Sequence, residues 1–455
     1  MTWFEVSEQR FERPLGENET FIKILGDAAR PFSREHWAIN IIASVTPLGS
    51  LAKENLSFRF REAWKALRFN HPTIAAYIVD ETKYVYDIPD LMALEKWTAE
   101  TFQVVEDMTA DEFIASTTRV PYATMTFFPQ TGELLGRSQH WRTDGIGGLI
   151  LMDDFLDLAA QSALDTSCLS WGEETVRLAP CVEEVLSSFV TSESQDKQLA
   201  QQCVASFGHA AGAIGITCHA PEETSPGGTC ISRLHLSEQE TKAVIQGSKA
   251  RKLSVTAAVH ASIAGANYAF ATAGDQNKHY TSTIRYSLRP FLPEPYSGRQ
   301  YASTIFTTGW MFPVSSESSW IDRAKAYHDE YRKGLSHDYM SAHREYAIGL
   351  CNLLRNSPKN TPSPTDVDIS SLGVCEKLIA RQKGTAERGI RIDRVSGGLD
   401  MINRQSVCHV WTFRDQLCLN LAYNEAFYDR AEGDYFLQIV KNSLLHELSW
   451  ILANT

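Results

Sequence analysis

A histidine followed four residues later by Asp-Gly is the feature of this chain whose residue types and spacing could do chemistry: His140-Trp141-Arg142-Thr143-Asp144-Gly145. An imidazole titrates close to neutral pH, so it can take a proton from a hydroxyl or amine and later return one. The acidic Asp144 can hold the loop by pairing elsewhere, and Gly145 permits a backbone conformation that other residues resist. Taken alone, the pattern discriminates little. Average residue usage yields it in roughly one chain in twenty of this length, and the bland reading is a strand-terminal histidine beside an ordinary Asp-Gly turn.

The flanking elements supply the context. Tyr122 to Phe128, then Pro129-Gln130-Thr131-Gly132, then Leu134 to His140 read as a hairpin. Gly147 to Ala160 reads as a helix with Ile, Leu, Met and Phe on one face. His140 is therefore expected where a strand ends and a glycine-bearing loop leads into a helix, and loops held by rigid elements are the usual place for catalytic groups.

Further out, Arg34 to Val45 and Phe58 to Phe69 carry apolar residues at helical spacing. Ala75 to Val79 and Tyr84 to Tyr86, separated by Asp80-Glu81-Thr82, predict a second hairpin. Ser237-Glu238-Gln239-Glu240 is a capping box that opens a helix to about Lys249, and Ser254 to Phe270 is an alanine-rich helix. Tyr280 to Leu288 and Leu417 to Tyr423 predict strands, and a last helix runs from Asp434 to Leu452. No repeat at a period of roughly 20–50 residues is evident. This mixture predicts two α/β layered domains. The polar run from Ser192 to Gly228, most loop-like over 221–228, marks the division: domain 1–195, then domain 196–455 opening with a connecting segment, 196–230.

The bulk numbers agree with such a chain. At 455 residues it suits two domains of roughly 200 residues each, and 43% hydrophobic with 22% charged residues is a globular balance. A net charge of −12 without a basic stripe speaks against a nucleic-acid partner. The amino terminus lacks the pattern of a signal peptide, and no stretch approaches the ~20 apolar residues of a membrane span. Nine scattered cysteines with no Cys-x-x-Cys pair read as reduced, mostly buried thiols in a cytoplasmic protein. The Asn18 and Asn55 sequons are then incidental.

Other candidates are weaker. His260, on the alanine-rich helix, reads as a buried, hydrogen-bonded histidine. Cys408-His409 reads as a core thiol beside an exposed imidazole, because adjacent strand residues face opposite ways. Asp153-Asp154 reads as a solvated helix face. There is no phosphate-cradling glycine loop, no Gly-x-Ser-x-Gly elbow and no metal-ligand cluster, so metal-free chemistry is expected.

The motif and its surroundings resemble the superfamily of plant BAHD acyltransferases, carnitine acyltransferases and nonribosomal peptide condensation domains. The resemblance is greatest to fungal enzymes like trichothecene 15-O-acetyltransferase. The family motif is His-His-x-x-x-Asp-Gly; Gln139 replaces the first histidine and His140 keeps the second. Pro290-Phe291-Leu292-Pro293-Glu294-Pro295-Tyr296-Ser297-Gly298 resembles the BAHD stretch Pro-Pro-Leu-Pro-x-x-Tyr-Phe-Gly-Asn. Arg285 stands where the BAHD pattern has the first arginine of Asp-x-Arg-x-Arg. Arg13-Pro14-Leu15-Gly16, Ser370-Ser371-Leu372-Gly373, and Trp411-Thr412-Phe413 with Tyr423-Asn424 look like the fungal branch. The BAHD motif Asp-Phe-Gly-Trp-Gly is missing, with Asp393-Arg394-Val395-Ser396-Gly397-Gly398 as its nearest counterpart.

The resemblance implies two similar chloramphenicol-acetyltransferase-like α/β domains. Each would have a mixed sheet with flanking helices, and together they would form a V with a central channel and His140 near its middle. It implies His140 as the catalytic base, with Asp144, Gly145 and Arg285 structural at the site and Asp144 paired with Arg285. It implies a monomer that binds no permanent cofactor and uses acyl-CoA, most simply acetyl-CoA, as co-substrate. The acceptor would be a small-molecule alcohol such as a terpenoid or polyketide. Arg142 could reach solvent or donor phosphates. The alternatives are the same fold with a carrier-protein-bound acyl donor, a cyclisation or dehydration in the same cleft, and a decayed domain serving as a scaffold. The retained His140, Asp144 and Gly145 argue against the last.

Overall fold

The computed structural model describes residues 2–189, 193–221, 223–357 and 363–449. It divides into two compact units. The first comprises Met1–Val190, Ser287–Thr307 and Glu376–Gly397; the second comprises Thr191–Tyr286, Thr308–Cys375 and Gly398–Thr455. Two segments expected in the C-terminal domain thus belong to the unit that carries His140.

The first unit is built on a six-stranded sheet in the order Gln382–Gly384, Arg388–Leu399, Ile39–Gly49, Glu133–Ser138, Thr124–Phe128, Phe102–Val104. Ile39–Gly49 runs antiparallel to Glu133–Ser138, with Ile42 opposite Leu135, and Glu133–Ser138 runs antiparallel to Thr124–Phe128. Phe102–Val104 joins parallel to Thr124–Phe128, which makes the sheet mixed. Helices Leu56–Asn70 and Gly145–Ala160 pack together, and Phe60 meets Phe127 of the sheet at 4.9 Å and Phe155 of the second helix at 5.8 Å. A smaller antiparallel sheet includes the expected hairpin, Tyr77–Val79 with Lys83–Asp87, whose turn residues Asp80 and Glu81 both have positive φ.

The helix predicted over Arg34 to Val45 is instead the strand Ile39–Gly49. Its first five residues, Asn40 included, are all buried, as in a central strand covered on both faces, where the inside-outside alternation of a half-buried strand is lost. Ile39, Ile41, Ile42 and Val45 are β-branched and stiff at χ1, which favours the pleated surface.

The second unit has its own mixed sheet, ordered Val367–Val374, Ser406–Phe413, Gln416–Asn424, Thr229–His235. The first pair is parallel and the other two antiparallel. Helices Glu238–Ala250, Val255–Phe270 and Arg430–Ser449 flank it, burying Val244, Val259, Leu419 and Phe436 in one core. The expected capping box is present: Glu240 N donates to Ser237 Oγ at 3.2 Å, and Ser237 N donates to Glu240 Oε2 at 2.9 Å. Residues 450–452 of the expected last helix lie outside the described residues. The supposed connecting run contains the helix Glu193–Ala205, which packs so closely on His337–Asn356 that a Cβ on Gly349 would stand 2.7 Å from Val204. Its Gln, Lys, Leu and Ala are good helix formers, and polarity alone does not distinguish such a helix from a loop.

All nine cysteines carry free thiols; Cys181, Cys351, Cys375, Cys408 and Cys418 are buried and Cys168 is exposed. Among the described residues no helix is long and apolar enough to cross a membrane.

Gly397 has φ +143°, and a Cβ there would stand 2.0 Å from the carbonyl oxygen of Asn40 on the neighbouring strand. Gly397→Ala is expected to cost at least about 2 kcal/mol in urea unfolding. Glu183, buried against the first turn of helix Glu17–Asp27, accepts a 2.6 Å hydrogen bond from Asn18 N. Burial, with nearby Glu19, nonetheless pushes its carboxyl up to about 7. The folded chain then holds a proton that the unfolded chain releases in the ordinary carboxylate range, so this group's contribution to stability falls as pH rises to about 7 and is level above it. Glu183→Gln should flatten that part of the stability–pH profile relative to wild type; an unchanged profile would show that Glu183 does not titrate there.

Candidate active site

The strand Glu133–Ser138 delivers the motif, a turn closed by Arg142 N donating to Gln139 O at 3.0 Å follows, and the helix Gly145–Ala160 begins at once. Gln139, Trp141, Arg142, Thr143 and Asp144 are each at most 5% exposed, whereas His140 is half-buried. Between the strand and the helix, His140 is the one residue that is not fully buried.

Arg142 does not reach outward. Its guanidinium lies over the Trp141 ring at 4.7 Å and donates to Thr73 O at 2.9 Å, Ala76 O at 2.5 Å, Tyr84 Oη at 2.8 Å and Pro121 O at 2.8 Å. Its Nε donates to Gln139 Oε1 at 3.0 Å. The expectation of a solvent- or phosphate-facing Arg142 is thereby overturned: an arginine this buried needs its donors satisfied internally, and main-chain carbonyls supply that. Gln139, standing where the family has its first histidine, is part of the same network, and its amide also donates to Val120 O. A neutral side chain suits a place beside a buried guanidinium.

Asp144 caps the helix and anchors the loop. Its Oδ1 accepts from Gly147 N at 2.8 Å, its Oδ2 accepts from Phe306 N at 2.9 Å, and Arg289 Nη1 reaches the two oxygens at 2.8 and 2.6 Å. Every one of these groups belongs to the first unit. The partner of Asp144 is thus Arg289 and not Arg285. Arg285 pairs with Asp368 at 2.7 Å and donates to Ile369 O, within the second unit. The physical reason is where the strand ends. Tyr280–Ser287 holds Arg285 against its own unit, and only beyond Ser287 does the chain join the unit that contains Asp144.

Gly145 also differs from expectation. It is the first helical residue and is absent from the residues with positive φ. The glycine that the geometry demands is Gly147, where a Cβ would stand 2.1 Å from Ala302 O and 2.5 Å from Thr143 Oγ1. Thr143 Oγ1 in turn donates to Ala302 O at 2.8 Å.

Beside His140 stands Trp37, its ring centroid 6.3 Å away and tilted by 48°. Trp37 has φ +62°, uncommon for a bulky side chain. Its neighbour His36 is buried, which lowers its imidazole to about 4 and keeps it neutral.

The remaining candidates resolve as follows. His260 is fully buried, with Nε2 2.5 Å from Ser282 Oγ, Nδ1 3.2 Å from Tyr331 Oη, and the ring stacked at 3.6 Å on Tyr327. Burial holds its titration well below the usual range. Cys408 is core, but His409 is only 6% exposed, so the expectation of an exposed imidazole fails; an interior sheet is covered on both faces. Asp153 and Asp154 are not a solvated face. Arg299 bridges them at 2.5 and 2.6 Å, Lys383 and Ala380 N reach Asp153 at 2.9 Å, and His71 Nε2 lies 2.9 Å from Asp154. The sequence expectations do not include Arg289 or Trp37, and they place this carboxylate pair on a solvated face. Arg289 did carry a signal, since it directly precedes the Pro290–Gly298 stretch that was noticed. Among the described residues no group of three or more His, Cys, Asp or Glu is placed to hold a metal ion.

Removing one partner of a buried ion pair costs about 3–5 kcal/mol. Asp144→Asn and Arg289→Leu should therefore each lower the unfolding free energy by about that much, and the double variant by less than their sum. Arg285→Leu should lower stability without strengthening or weakening the effect of Asp144→Asn. Coupling between Arg285 and Asp144 in such a cycle would contradict the pairing described.

No family model matches the chain. It is 40% identical over 453 residues to an acetyltransferase, pigO, of Monascus ruber, across 98% of each chain. It is 29% identical over 454 residues to an O-acetyltransferase, pigM, of the same fungus, across 99% of this chain and 88% of the relative. A trichothecene 15-O-acetyltransferase from Fusarium sporotrichioides superposes with a TM-score of 0.81 at 16% identity, across 98% of each chain. The condensation domain of the monacolin K polyketide synthase MokA superposes with a TM-score of 0.62 at 12% identity, also across 98% of each. The chain belongs to the same family as the Monascus ruber acetyltransferase and shares the fold of the trichothecene acetyltransferase and the condensation domain.

Proposed function

We propose that this protein moves an acyl group, specifically acetyl, from an acyl-CoA thioester to a hydroxyl of an apolar secondary metabolite, with His140 as general base. One observation carries the reading. The motif's other ionisable side chains, Arg142 and Asp144, are buried and fully engaged, while His140 on the same turn is only partly buried. Chemistry on an external nucleophile falls to the group that can meet it.

In the reaction, the imidazole takes the hydroxyl proton as the oxygen attacks the thioester carbonyl, forming the C–O bond of a tetrahedral intermediate. Collapse breaks the C–S bond, and the thiolate leaves with the proton returned by the imidazolium. The Asp144–Arg289 pair takes no part in proton transfer; it fixes where the turn stands, and rate depends steeply on such placement.

The relatives' names support the finer assignments. "Acetyltransferase" and "O-acetyltransferase" favour a two-carbon donor and an oxygen acceptor. A third relative, 26% identical over 427 residues, is an azaphilone biosynthesis cluster protein of Aspergillus terreus, which favours an acceptor of polyketide type. Free thiols throughout fit a reducing cytoplasm, and a monomer is sufficient for this chemistry.

The test is release of free CoA from acetyl-CoA in the presence of hydroxylated polyketides, for wild type and His140→Ala. The variant should lose about 10²–10⁴-fold in kcat while still folding to a cooperatively melting protein. Retained turnover would remove His140 from the role of base.

A further inference from the structure

Ile39–Gly49 pairs with Glu133–Ser138 in a register that sets Ile41 opposite Gly136, Asn40 opposite Arg137 and Ile39 opposite Ser138. Carried two residues beyond the end of the ladder, the same register sets Trp37 opposite His140. Side chains two apart on a strand share a face, and residues opposed across an antiparallel pair meet. These two do meet. Their ring centroids are 6.3 Å apart, within the range of aromatic contact, and the planes are tilted by 48°.

Trp37 takes a strained backbone to stand there. Its φ of +62° lies in the left-handed region, which a bulky side chain rarely adopts. The chain is fixed on either side of it. His36 is buried and its N–H donates to Gly26 O at 3.1 Å, Ala38 is buried, and the ladder begins at Ile39. A residue in such a conformation persists only where its surroundings dictate it, and such residues gather at functional sites. The indole N–H is buried and meets no acceptor among the described residues, so hydrogen bonding to them does not account for where the ring stands. What the placement achieves is the contact with His140.

We infer that Trp37 is a positioning residue for the base: its indole limits the orientations open to the His140 imidazole and holds that ring where it can accept a proton. The inference rests on His140 being the general base. A partly buried imidazole has several rotamers open to it, and rate falls steeply as reacting groups leave alignment. A neighbour that removes the unproductive rotamers acts on kcat and leaves substrate binding alone.

Three variants test this through CoA release from acetyl-CoA with a hydroxylated polyketide as acceptor. Trp37→Gly removes the indole and relaxes the left-handed backbone, whereas Trp37→Leu removes the ring and keeps bulk at the same φ. Each should lower kcat about 10-fold or more, with KM for both substrates within about twofold of wild type. Trp37→Phe, which keeps a ring beside His140, should recover most of that loss. Wild-type kcat in either the glycine or the leucine variant, whichever folds, would overturn the inference and leave the general-base reading intact. A raised KM for the alcohol at constant kcat would also overturn it, since Trp37 would then act on the acceptor and not through His140. Full turnover in His140→Ala would remove the base, and this inference with it.

Discussion

The buried pair of Asp144 and Arg289 is the constraint on which the site depends. Two charges removed from water repay their desolvation only when geometry is good and the remaining lone pairs are used. Here the carboxylate receives two guanidinium contacts and two main-chain N–H groups, one from its own helix and one from Phe306. A single side chain thus joins the start of the motif helix to a segment more than 140 positions away in sequence. The turn that carries His140 inherits its position from that junction.

The same helix is fastened again along its length. Asp153 and Asp154 gather Arg299, Lys383 and His71, so that all three chain segments of the first unit meet on one helix. Arg142 secures the other side of the turn by occupying the carbonyls of Thr73, Ala76 and Pro121. Charged residues that would suggest a reactive or solvated surface by type are consumed in holding one imidazole.

How far this was legible in the amino-acid sequence depended on whether the signal was local. The hairpin Thr124–Phe128 with Glu133–Ser138, the helix Leu56–Asn70 and the capping box at Ser237 announce themselves through period, turn residues and short-range hydrogen bonds. Ile39–Gly49 misleads because burial on both faces erases alternation. The partner of Asp144 could not be read from spacing, since Arg285 and Arg289 lie four positions apart and only the end of the strand at Ser287 decides which unit each joins. His140 stood out by type, yet its incomplete burial among fully buried neighbours is a property of packing alone.

The strand Arg388–Leu399 has a consequence for how the chain is made. It lies against Ile39–Gly49, near the other end of the polypeptide, so during synthesis on the ribosome the first unit must wait for some 340 further residues before that edge is covered. Until then a largely buried strand offers unpaired main-chain groups along that edge. An isolated amino-terminal half would therefore carry the His140 turn on a sheet whose edge at Ile39–Gly49 is left uncovered.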